Sequence, residues 1–93
     1  MGMTAREMTA SAVICEMIEA WAGLGGGWVR LEDIAQRANL AGSQIREAVM
    51  ELVATDLEVQ LEPQPFGHRI TGWDKANAPV VGGEPVHLIR WGA

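Results

Sequence analysis

Near Asp56 the spacing of apolar side chains changes from one in three or four residues to one in two, and this switch constrains the fold more than any other feature. Upstream, Ala10, Val13, Ile14, Met17, Trp21 and Leu24 fall on one stripe of a helical wheel, with Ile18 extending it. Ile45, Ala48, Val49, Leu52 and Val53 form a second such stripe. Downstream, Leu57, Val59 and Leu61 alternate with Glu58, Gln60 and Glu62, the pattern of a half-buried strand. Helices followed by strands within 93 residues predict a single α+β domain. A chain of this size buries only about 60–65% of its unfolded surface. Its four tryptophans and five methionines are therefore expected to build the core, and no cleft for a small-molecule substrate is expected.

Local signals place the element boundaries. Thr4-Ala5-Arg6-Glu7 has capping-box spacing and predicts a helix from about residue 5 to 22. Gly23, Gly25, Gly26 and Gly27 end it and form a mobile link. This glycine run is no phosphate cradle, because a helix precedes it and no Gly-Lys-Ser/Thr follows. Trp28-Val29-Arg30-Leu31 is β-prone. Glu32 to Ala38 has acids at its start and Arg37 at its end, as the helix dipole favours, with Ile34, Ala35 and Ala38 inward. Asn39-Leu40-Ala41-Gly42 breaks that helix, and Ser43 is the expected N-cap of a third, ending at Ala54 or Thr55. Pro63 and Pro65 stop the first long strand, and His68-Arg69-Ile70 is a candidate for brief pairing. Thr71-Gly72-Trp73-Asp74 opens a turn of helix that Pro79 terminates after Ala78. Val80 to Pro85 is a turn region, and Val86 to Trp91 a final strand with Val86, Leu88 and Arg90 on one side and His87, Ile89 and Trp91 on the other.

Charge and cysteine usage exclude several function classes. A net charge of -5 and a pI near 4.8 oppose general polyanion binding, which depends on lysine and arginine displacing phosphate counterions. Cys15 has no partner for a disulfide or a CxxC-type zinc site, which suits a reducing cytoplasm. The apolar stretch from 8 to 24 carries Glu16 and Glu19, each costing about 2–3 kcal/mol near a bilayer centre. No membrane span is expected. The chain starts without a basic n-region, and Arg6 stands where a myristoylation signal places Ser or Thr. His68, His87 and Cys15 are the soft metal ligands, and no local spacing joins them. Glu16 with Glu19, and Glu47 with Glu51, have the spacing of solvated helix faces rather than of an acid-base pair in a cleft. Neither catalysis nor a metal or cofactor is expected, and His87 is expected to face solvent or to be a hydrogen-bonded packing residue.

Several apolar residues fall outside the predicted core. Met8, Ala12, Cys15 and Ala22 form a strip on the far side of the first helix, either a homodimer contact or scattered exposed residues of the ordinary kind. Trp21 and Trp28 are assigned to the core, whereas Trp73 and Trp91 are left open. Pro65-Phe66-Gly67 either presents an aromatic anchor to a partner or tucks onto the domain.

The order helix, short strand, helix, turn, helix, strand, long loop, strand resembles a winged helix-turn-helix domain. The resemblance is carried by Trp28 to Leu31 as first strand, Ile34-Ala35 with Ala38 in the second helix, Ala41-Gly42-Ser43 as the turn, and Ile45-Arg46-Glu47-Ala48-Val49 with Leu52 in the third helix. It implies a first helix and link over 1–27, the helix-turn-helix over 28–56 and an elaborated wing over 57–93, the stretch from Pro63 to Pro85 lying within it. The tail from Ile70 to Trp91 also resembles small proteins of actinobacteria and their phages, and six arginines to one lysine fit a GC-rich coding sequence.

In that superfamily the third helix enters the DNA major groove, which would make Ser43, Gln44, Arg46, Glu47, Met50, Glu51 and Ala54 the outward face here. Gln44 and Arg46 suit base edges, with Arg30, Arg69, Lys75 and Arg90 as phosphate contacts. Residues 43–56, however, set one arginine against Glu47, Glu51 and Asp56. The expectation is a non-enzymatic regulator or interaction module that binds a protein partner or itself, a homodimer included. The alternative is a dimeric, sequence-specific DNA-binding regulator.

Overall fold

The computed structural model describes residues 7–55, 58–64 and 70–92. Helix α1 spans Ala10–Gly23, so it begins later than the Thr4 capping box predicts. Thr9 caps it, its hydroxyl accepting from the Ala12 N–H at 3.1 Å, while Thr4 lies outside the described residues. Starting there puts Met8 just before the cap and Val13 in the second turn, the positions of a hydrophobic staple, and Met8 packs against the core. Val13, Met17 and Ala20 are the buried face, with Ile14 and Trp21 at its margins. The stripe is thus rotated from the expected one: Ala10, Ile18 and Leu24 are exposed, and small Ala20 is buried in the bundle that α1 forms with its helical neighbours.

The glycine link is tied down rather than free. Trp21 Nε1 donates to the Gly27 carbonyl at 2.7 Å, and Gly26, at φ 68°, lies over the Trp21 ring, where a β-carbon would sit 3.6 Å from it. Strand β1 (Val29–Arg30) follows, and helix α2 (Leu31–Ala38) starts immediately after it. Asn39 ends α2 in the left-handed region, at φ 56° and ψ 48°, which asparagine tolerates better than most residues. Helix α3 spans Gly42–Thr55. Ser43 is therefore inside the helix, not its cap. Gln44 reaches back instead, its Oε1 accepting from the Ala41 N–H at 2.9 Å.

Strand β2 (Val59–Glu62), helix α4 (Gly72–Asn77), strands β3 (Val80–Val81) and β4 (Glu84–Pro85), and strand β5 (Leu88–Trp91) complete the described chain. Leu57, His68 and Arg69, assigned to strands from the sequence, lie outside the described residues, and Ile70 is not in a strand. The main sheet is antiparallel in the order β1-β5-β2, so the last strand lies between two that precede it. Its register pairs Val29 with Ile89, and Val59 and Leu61 with Trp91 and Ile89. The turn expected between Val80 and Pro85 is a hairpin of its own, with Gly82 and Gly83 at φ 61° and 85°, as a tight two-residue connection that matches the strand twist requires.

One core joins the layers: Val13, Met17 and Ala20 from α1, Leu31, Ile34 and Ala35 from α2, Ile45, Ala48, Val49 and Leu52 from α3, and Val29 and Ile89 from the sheet. Two further assignments to this core fail. Val53 is 40% exposed, because α3 presents only one side to its neighbours and Val53 falls beyond its edge. Trp28 is 39% exposed and stacks beneath the Arg90 guanidinium, 5.3 Å from its ring centre. Trp91 packs against the core edge-on to Trp21, with ring centres 5.5 Å apart, and Trp73 also packs against it.

These positions predict opposite responses to truncation. Ile89→Ala, at a fully buried site, is expected to cost about 2–5 kcal/mol in urea denaturation. Val53→Ala should stay within about 0.5 kcal/mol of the parent, and a loss as large as that of Ile89→Ala would place Val53 back in the core.

Candidate functional site

The residues expected to contact a partner belong to α3, and α4 decides how much of that helix is open. The sequence of α4 explains its formation. The Thr71 hydroxyl accepts from the Asp74 N–H, and Asp74 Oδ2 accepts from the Thr71 N–H, both at 3.1 Å, closing the expected capping box. Arg30, at the end of β1, holds the same carboxylate: its Nη2 donates to Asp74 Oδ2 at 2.7 Å and to Glu32 Oε1 at 3.1 Å. The Thr71 hydroxyl in turn donates to Glu32 Oε1 at 2.8 Å. Asp74 is completely enclosed, so this charge is stabilised by Arg30 rather than by water.

Clamped in this way, α4 packs on the first turns of α3. The Asn77 side chain occupies the space where a β-carbon at Gly42 would lie, so a larger residue there would have to displace it. Arg46 Nη1 reaches the Ala76 carbonyl at 3.5 Å. Both residues chosen for base contacts are therefore engaged within the protein, Arg46 against α4 and Gln44 in closing the start of α3.

The remaining outward residues are open. Ser43, Glu47, Met50, Glu51 and Ala54 are exposed, Met50 at 45%, and Val53 joins them. Among the described residues neither Glu47 nor Glu51 has an ion-pair partner. Glu47 also lines a groove of about 450 Å³ between the start of α1 and α3, with Glu7, Met8 and Val13. The free part of α3 is acidic with apolar residues interspersed.

The suggested phosphate contacts do not form a free basic edge. Arg30 is held by two carboxylates, and Arg90 by the face of Trp28. The register puts Arg30 opposite Leu88, so Arg30 and Arg90 share the outer sheet face, yet each is committed there. Lys75 is exposed on α4, and Arg69 lies outside the described residues. The first-helix strip is divided: Met8 turns to the core and Ala12 is half-buried, while Cys15 and Ala22 are exposed.

Of the two positions open to His87, solvent-facing or packed, the structure shows the packed one: it is buried at 6% exposure, its Nδ1 accepting from the Gln64 N–H at 2.8 Å. Arg30 and Asp74 were missed as partners because 44 residues separate them. The only local signal was the Thr71-Asp74 box. Among the described residues no three histidine, cysteine or acidic side chains are grouped to hold a metal, and no helix is long and apolar enough to cross a membrane. No family model, curated protein or solved structure matches this chain.

Arg30→Ala is expected to cost roughly 3 kcal/mol in chemical denaturation, because it strands a buried carboxylate. Lys75→Ala should change stability by about 0.5 kcal/mol or less. Equal small effects from both would mean that Arg30 is a dispensable surface cation.

Proposed function

We propose that the chain is a winged-helix module with an elaborated wing, acting as a non-enzymatic interaction module or regulator that engages a protein partner through α3. The strand order β1-β5-β2, with two helices between β1 and β2 and the wing between β2 and β5, supports the winged-helix assignment. The observation that carries the functional reading is the seat of α4 on the first turns of α3, with Asn77 against Gly42 and Arg46 turned to Ala76. A groove-reading helix needs its first turns free to approach bases. Here the exposed residues of α3 are Ser43, Arg46, Glu47, Met50, Glu51, Val53, Ala54 and Thr55, one arginine against two glutamates. Such a surface repels phosphate but offers a protein the mixture of apolar area and charge on which interfaces are built.

Fluorescence polarisation with a labelled random duplex, across a salt series, tests the choice. No saturable binding is expected at physiological salt, and Arg46→Ala should leave the signal unchanged. Tight binding whose affinity falls steeply with salt would instead establish phosphate contacts and favour a DNA-binding regulator.

A further inference from the structure

The groove of about 450 Å³ between the start of α1 and α3 joins two kinds of surface. Met8 and Ala10 present accessible apolar area, and Val13 and Ala48, which belong to the core, close it from below. Glu7, from the segment ahead of α1, and Glu47, from α3, each bring an exposed carboxylate. The rest of the lining, Ser43 and Gln44, is uncharged, and among the described residues no cation lines the groove. Glu51 lies one turn beyond Glu47 and is also exposed, so the negative side continues along α3. Arg46, the one arginine of that helix, is directed instead to the Ala76 carbonyl of α4.

Carboxylates beside apolar area select their complement. An aliphatic or aromatic side chain would cover Met8 and Ala10 but would strip water from the two carboxylates without replacing it. An acidic one would be repelled. A second copy is also a poor occupant, because an isologous contact through this face would oppose Glu47 and Glu51 with the same residues in a chain of net charge -5. A long cationic side chain meets both needs, its methylene stem lying on apolar surface while its charged head stays among the carboxylates. We propose that this groove receives an arginine or lysine side chain from a basic segment of a protein partner, with the stem along Met8 and Ala10 and the charge between Glu7 and Glu47. The proposal rests on the protein-partner reading above and supplies the chemistry of that partner.

The test is an NMR titration of the full chain at physiological salt with acetylated and amidated hexa-arginine and, separately, with its uncharged hexacitrulline counterpart. Saturable shifts of the Met8, Ala10, Glu47 and Ala48 amide signals are expected with hexa-arginine and not with hexacitrulline. Glu47→Gln, at an exposed helix position that should leave the fold intact, is expected to weaken hexa-arginine about two- to fivefold, as loss of an exposed ion pair does. Glu19→Gln removes the same charge from an exposed position of α1 outside the groove and should leave the affinity unchanged, because salt screens distant charges. Absence of saturable shifts at these amides, equal binding of hexacitrulline, or equal loss from Glu47→Gln and Glu19→Gln would overturn the proposal. Each of these results would leave the protein-partner reading standing, because the DNA titration decides that separately.

Discussion

The buried contact between Arg30 and Asp74 is the constraint on which the arrangement of this protein depends. An enclosed carboxylate is tolerable only when a counter-charge and hydrogen bonds replace its hydration. Arg30 supplies the charge, and Thr71 supplies the backbone N–H. Because Arg30 ends β1 and Asp74 lies within α4, satisfying that one carboxylate ties the segment between β2 and β5 to the junction of β1 and α2. The position of α4 thus rests on this ion pair together with the packing of Trp73 against the core.

From that seat the functional character follows. Strands β2 and β5 have four residues each, and the chain between them returns α4 to pack on the start of α3. At the start of α3 the Asn77 side-chain amide lies against Gly42 and the Ala76 carbonyl accepts from Arg46. What is left open on α3 is acidic and apolar together. On the other side of α4, the hairpin walls a cleft containing the buried polar pair Asp74 and His87. One helix of six residues thus closes one surface and shapes another.

Much of the local structure was legible in the sequence because it rests on interactions a few residues apart. The α4 capping box, the breaks at Asn39 and Pro79, and the inward face of α3 from Ile45 to Leu52 are of this kind. Errors arose where two local solutions compete. Thr4 and Thr9 both suit an N-cap, and only packing of Met8 on the core separates them. Val53 continues a helical stripe that no neighbour extends far enough to cover. Trp28 has core-like chemistry, but its strand register aligns it with Arg90 on the outer sheet face.

By itself the sequence determined the helices, the period switch into strands and the acidic balance of α3, since propensity, capping and formal charge act within a few residues. Tertiary structure alone decided that Arg30 is an internal counter-ion, that Arg46 faces α4, and that Asp74 and His87 line one cleft. The physical reason is separation along the chain. Whether a charged or polar side chain is available to a partner depends on which distant groups desolvate it, and composition and spacing do not encode that distance.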